Sequence, residues 1–89
     1  MARYLARIDI MLKVLVKDPQ GLTVVDGLKT LGFDGIDDVR VGKHIEVTLD
    51  AGDQAAAERA VTEMCDKLLA NPVIEDFTFE LAEVAAAEA

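Results

Sequence analysis

From Tyr4 to Val16 every even-numbered position is apolar: Tyr4, Ala6, Ile8, Ile10, Leu12, Val14 and Val16. Arg7, Asp9 and Lys13 fall on the odd positions. This period-two alternation predicts a β-strand with one wholly apolar face. The other face is mixed, because Leu5, Met11 and Leu15 share it with the charges.

At Asp18-Pro19 the period changes. An Asp at the N-cap accepts a free backbone N–H, and a Pro at the first helical position gives up no hydrogen bond. Leu22, Val25, Leu28 and Leu31 then recur every three residues, as one stripe of a helix does. Gly32 suits a left-handed residue just past the helix end, with Phe33 folding back on the last turn. Beyond it, Val39 and Val41, and then Ile45, Val47 and Leu49, alternate with polar residues. Gly42-Lys43 between them predicts a two-residue hairpin turn. A second helix is expected over about Asp53–Ala70. Its apolar stripe is Ala57, Ala60, Val61, Met64 and Leu68, with Glu63 and Lys67 paired on the outer face. Asn71-Pro72 ends it, since the residue before a proline avoids helical geometry. A last strand follows over about Val73–Leu81, with Val73, Phe77, Phe79 and Leu81 on one face.

The order is β-α-β-β-α-β, an α+β arrangement of the ferredoxin-like type: an antiparallel sheet with both helices on one face. The chain of 89 residues makes one domain, residues 1–81. The tail 82–89 has too little to bury and is expected to be disordered. Leu5, Met11, Leu15 and Ile74 are expected on the helix-free face, a candidate for sheet-on-sheet contact between copies. The thirteen residues Tyr4–Val16 would span ~43 Å as a strand. A compact domain of this size is only roughly 31 Å across. Such an overhanging strand calls for pairing with another copy.

The formal net charge is −8. An acidic surface is repelled by nucleic acid and by anionic membranes, so neither is an expected partner. Cys65 is the one cysteine, and a disulfide needs two, which favours a reducing compartment. No signal-peptide pattern opens the chain, and no apolar run approaches the ~20 residues that span a bilayer. The expected location is the cytoplasm.

Candidate chemistry is sparse. His44 has no partner at a spacing that would make it a general base. Cys65 has no cationic neighbour to lower its pKa and reads as a buried inert thiol. Asp37-Asp38 and Glu75-Asp76 are neighbours that point to opposite sides of an extended chain, so neither pair converges on a metal. No phosphate-binding glycine loop is present. Arg40, Lys43 and His44 form a rare positive group on an acidic protein. They read equally as a grip for phosphate or an acidic partner and as ordinary turn solvation. No catalytic, cofactor or metal residues are assigned.

Four stretches stand in register along the chain: Lys17-Asp18-Pro19-Gln20-Gly21, Leu31-Gly32-Phe33, Val39-Arg40-Val41-Gly42-Lys43, and the run from Met64-Cys65-Asp66-Lys67 through Asn71-Pro72 to Phe77. Together they resemble PurS, the family of small subunits of phosphoribosylformylglycinamidine synthase, from about Tyr4 to Leu81. The resemblance implies a non-catalytic part of an ATP- and glutamine-using ligase of purine biosynthesis. It bridges a large synthetase subunit, PurL, and a glutaminase subunit, PurQ, so that ammonia passes between them. ATP and Mg would be bound by the large subunit and no cofactor by this chain. The family also implies self-association, as dimer or tetramer. On exposure at element ends and on these motifs, the expected partner interface is Asp18, Gln20, Gly21, Arg40, Gly42, Lys43, His44, Asn71 and Pro72. The alternative is a small dimeric regulatory module that binds an amino acid or a nucleotide. A stand-alone enzyme is disfavoured by the lack of any converging catalytic set.

Overall fold

The computed structural model describes residues 2–84. Strand β1 (Ala2–Leu12) runs up the middle of a three-stranded antiparallel sheet, with β2 (Gly42–Ala51) on one side and β3 (Glu75–Val84) on the other. Helix α1 (Pro19–Thr30) connects β1 to β2, and α2 (Gln54–Met64) connects β2 to β3. The antiparallel α+β class is the one the sequence pattern indicates.

The core lies along β1. Tyr4, Ala6, Ile8 and Ile10 are buried, and they pair directly with Leu49, Val47 and Ile45 of β2 and with Leu81, Phe79 and Phe77 of β3. Helix α2 lays Ala57 and Val61 over this face, and Cys65 continues the stripe. Past Met64 the helix widens into a π turn over Cys65–Leu69, closed by the Ala70 N–H donating to the Cys65 carbonyl. The extra residue rotates the stripe. Leu69 and Ala70 reach the core, and Leu68, expected there, is 83% exposed.

Asp18 caps α1 by accepting the Gly21 N–H at 2.8 Å, with Pro19 at the first helical position. At the other end Gly32 takes φ +100°. The Phe33 N–H donates to the Leu28 carbonyl and the Gly32 N–H to that of Lys29, the paired closure of a Schellman motif. Yet α1 does not lie on the sheet beside α2. It stands off the sheet's end, and Leu22 and Leu31 of its expected stripe are exposed while Val25 is buried. The radius of gyration is therefore 17.0 Å, with extents 52 × 30 × 16 Å. A compact chain of this length would have about 12 Å.

Several boundaries differ from the sequence expectation. β1 stops at Leu12, and Lys13–Val16 forms a turn closed by the Val16 N–H on the Lys13 carbonyl. Val14 and Leu15 are consequently exposed. Val39–Val41 is not a strand and Gly42-Lys43 is not a hairpin turn. The Val41 N–H is taken by the Asp18 carboxylate instead of a ladder neighbour, and Gly42 opens β2 opposite Met11. The last strand begins at Glu75, because Asn71 collects the N–H groups of Ile74 and Glu75 into a turn. It continues to Val84, since β1 starts early enough to pair with it there. Ala82–Val84 thus belong to the sheet, and the rest of the expected tail lies outside the described residues.

The helix-free face is mixed: Leu5 and Met11 lie on it as expected, in rows that alternate with charged ones. Across it run the rows Asp50–Arg3–Val84, Thr48–Leu5–Ala82, Glu46–Arg7–Glu80, His44–Asp9–Thr78 and Gly42–Met11–Asp76. Leu15 and Ile74 lie outside the strands altogether. On that face the charged rows at Arg7 and Asp9 separate Leu5 from Met11.

Candidate functional site

The expected interface residues other than His44 gather at one end of the sheet, where β1 finishes, α1 begins, and β2 and β3 start. Asp18 organises the corner. Its side chain is buried; one oxygen accepts the Gly21 N–H and the other the Val41 N–H, both at 2.8 Å. The Val41 and Gly21 N–H groups, with the Arg40 charge nearby, hold its carboxyl below the ordinary carboxylate range against the opposing effect of burial. Gly21 is required where the helix meets the return leg, since a Cβ there would run into the Val39 carbonyl. Gly42 is required in the same way: a Cβ would meet the Met11 sulfur and the Ile10 carbonyl.

Arg40 is spent inside the fold. Its guanidinium donates to the carbonyls of Leu12 (3.2 Å), Lys13 (3.0 Å) and Val16 (3.3 Å), tying down the turn that leaves β1. It is therefore not a free grip for phosphate. Lys43 stands 3.7 Å from the Glu75 carboxylate. The same carboxylate accepts the Asn71 N–H at 2.7 Å, and the Asn71 side chain accepts the Val73 N–H at 3.0 Å. Glu75 thus joins the start of β2 to the Asn71-Pro72 turn. A cleft of roughly 290 Å³ opens between these elements, lined by Leu12, Asp18, Pro19, Gln20, Val41, Gly42, Lys43 and Glu75. Pro72 lines a neighbouring cleft with Lys13, Cys65 and Asp76.

Sequence reasoning missed Glu75, reading Glu75-Asp76 only as a pair that does not converge on a metal. The two carboxylates do diverge, but each finds a cation: Lys43 for Glu75, and Lys13 at 2.7 Å for Asp76. Glu75 lying four residues after Asn71 was the available signal.

His44 is not part of this corner. As the neighbour of Lys43 in a strand it points to the opposite face. There its Nδ1 meets Asp9 at 2.7 Å and its Nε2 meets Glu46 at 2.9 Å. The bond to Asp9, then that to Glu46, raises its pKa above the ordinary histidine value. With a carboxylate on each nitrogen, the protonated ring can donate to both at once, which favours that form. The Cys65 thiol is buried, and burial followed by the Asp66 charge pushes its pKa up, so it is no nucleophile. Among the described residues no three His, Cys, Asp or Glu side chains are placed to hold a metal ion.

The corner is held together by hydrogen bonds through Asp18, Arg40 and Glu75. The family model for PurS, phosphoribosylformylglycinamidine (FGAM) synthase, matches residues 5–83. The PurS subunit from Synechocystis sp. is 50% identical over 78 residues, covering 88% of this chain and 78% of that one. The Bacillus subtilis PurS subunit is 42% identical over 83 residues, covering 93% and 98%. Among solved structures, B. subtilis PurS superposes with TM-score 0.83 at 41% identity over 90% of this chain and 99% of that one. A chain of the PurLQS structure from Thermotoga maritima does so with TM-score 0.80 at 30% identity, covering 94% and 100%. With the match running through both the sheet and the corner, the chain belongs to the PurS family of phosphoribosylformylglycinamidine synthase subunits.

Proposed function

We propose that this chain is the small, non-catalytic subunit of phosphoribosylformylglycinamidine synthase, holding a PurL-type synthetase and a PurQ-type glutaminase together so that ammonia passes between them. The observation that carries this reading is the T. maritima PurLQS structure, in which a chain matched over its whole length by this one stands in a complex of that composition. The rigid corner around Asp18, with no reacting group beside it, supports a docking role. Ammonia released at one site is useful only if it reaches the second before it diffuses away or is protonated. Docking the two subunits raises its effective concentration. ATP and Mg belong in this reading to the large subunit, and the complex works in the cytoplasm. The chain also associates with itself, as the ten-residue strands with open edges on both sides of its sheet invite.

The experiment is reconstitution. Purified PurL- and PurQ-type partners are mixed with and without this chain, then followed by size-exclusion chromatography and by glutamine-dependent product formation. Co-elution and glutamine-dependent synthesis should both require the chain, while synthesis from added ammonium salt should not. Full glutamine-dependent activity without it would overturn the reading.

A further inference from the structure

Beyond Leu12 and Glu75, the last ladder pair of β1 and β3, the two segments leave the sheet together: the Lys13 N–H donates to the Ile74 carbonyl at 2.8 Å. The turn after β1 and the turn before β3 therefore stand side by side at the sheet's end. Both expose large aliphatic side chains. Val14 is 88% exposed, Leu15 98% and Val73 78%, with Ile74 exposed beside them. Single exposed apolar side chains are ordinary on a protein surface. Four on two adjoining turns make a patch, and such patches mark contact sites.

The two turns are braced. The Arg40 guanidinium donates to the carbonyls of Leu12, Lys13 and Val16, on both sides of Val14 and Leu15. In the neighbouring turn the Asn71 carbonyl accepts the N–H groups of Ile74 and Glu75, and the Asn71 side chain accepts that of Val73. These bonds fix the backbone and leave the four side chains uncovered. A projection ordered before it meets a partner loses less entropy on docking.

The charges around the patch say what it fits. Lys13 is paired with Asp76 at 2.7 Å, and Glu75 stands 3.7 Å from Lys43. Asp18 is buried. Lys17, exposed at the foot of the first turn, is in no ion pair among the described residues. The unspent charge here is thus positive, on a chain whose net charge is −8. Clefts away from this end do not match the patch, because charged side chains line them: Glu58, Glu63 and Asp66 in the groove on α2, and Arg7, Asp9 and Glu80 in the one on the helix-free face.

We propose that Val14, Leu15, Val73 and Ile74 form a preordered apolar knuckle that inserts into an apolar socket, rimmed by carboxylates, on a larger subunit of the synthase. This rests on the bridging role proposed above and adds the surface and the chemistry of what receives it.

The test uses Leu15→Asp, Val73→Ser and Lys17→Glu, with Leu31→Ser as a control on another exposed apolar residue, at the far end of α1. Each is titrated calorimetrically against the PurL-type and the PurQ-type subunit. Tm and sedimentation equilibrium of the chain alone are followed in parallel. Leu15→Asp should weaken binding to one large subunit by about 10-fold or more, and Val73→Ser and Lys17→Glu by about 3- to 10-fold. Leu31→Ser should bind as the wild type does. Tm and self-association should be unchanged throughout, and because Leu15 and Val73 lie on separate turns, the reading does not hang on one variant folding. Wild-type affinity in all three variants overturns the knuckle alone. Lost self-association with subunit binding intact gives the patch to a second copy and also overturns it. A wild-type chain that binds neither large subunit overturns the knuckle and the bridging role together.

Discussion

The carboxylate of Asp18 joins two segments 23 residues apart: while one oxygen caps α1, the other accepts the backbone N–H of Val41 at 2.8 Å. This single side chain does what a strand pairing would otherwise do for the return leg after α1. It explains why that leg leaves the expected hairpin and why β2 begins at Gly42.

Replacing Asp18 should therefore harm more than the helix start. Asp18→Asn keeps one acceptor oxygen and leaves the second N–H facing an amide donor; Asp18→Ala loses both bonds. Differential scanning calorimetry should show Tm falling by about 4–8 °C or more, with Ala worse than Asn. The Asp18 pKa is lowered in the folded state, so the stability it lends is full at pH above the ordinary carboxylate range. It drains away as pH falls through the lowered value. The acid limb of the Tm–pH curve should be shallower in Asp18→Ala than in the wild type.

Arg40 separates a structural role from a docking role. Its three carbonyl partners need the spread of a guanidinium, which an ammonium cannot match. Arg40→Lys should retain the charge yet lower Tm measurably and raise amide exchange over Lys13–Val16. Lys43→Glu should leave Tm within about a degree or two of wild type, because surface pairs such as Lys43–Glu75 are worth about 0–1 kcal/mol. A loss of partner binding in Lys43→Glu with the fold intact would place the docking contact at the cleft.

The His44 bridge makes stability depend on pH near neutrality. The folded-state pKa is raised above the ordinary value near 6.5, so the contribution is fully present below that value. It is lost as pH rises from there through the raised pKa. Tm measured from pH 6 upward should fall across that window in the wild type and stay flatter in His44→Gln. An NMR titration of the His44 ring protons should place its midpoint above the ordinary histidine value. A midpoint at or below it would remove the two-carboxylate bridge.

Cys65 reports on the core. Fully buried on the π turn that continues α2, with a raised pKa, it should resist a thiol reagent at pH 8 until the chain unfolds. Its labelling rate should follow the unfolding curve in urea. Truncating its neighbour Ile8 to Ala, also fully buried, should cost about 2–5 kcal/mol and raise native-state labelling in proportion.

Much of this molecule was legible in order of residues alone. The apolar even positions of β1, the Asp18-Pro19 helix start, the Gly32 exit and the family motifs are local signals, and each survives in the structure because it depends only on near neighbours along the chain. What distance along the chain hides, the tertiary structure decided. Asp18 reaching Val41, Arg40 reaching back to Leu12, and Glu75 meeting Lys43 are pairings across tens of residues that no spacing rule encodes. They turned an expected hairpin into a docked leg, and Arg40, open between an anion grip and turn solvation, into a structural brace. The polarity of the helix-free face was decided in the same way, since a strand's neighbours fix whether Leu5 and Met11 sit in an apolar field or among charges. Periodicity names the face a residue lies on; only the register of the sheet determines what lies beside it.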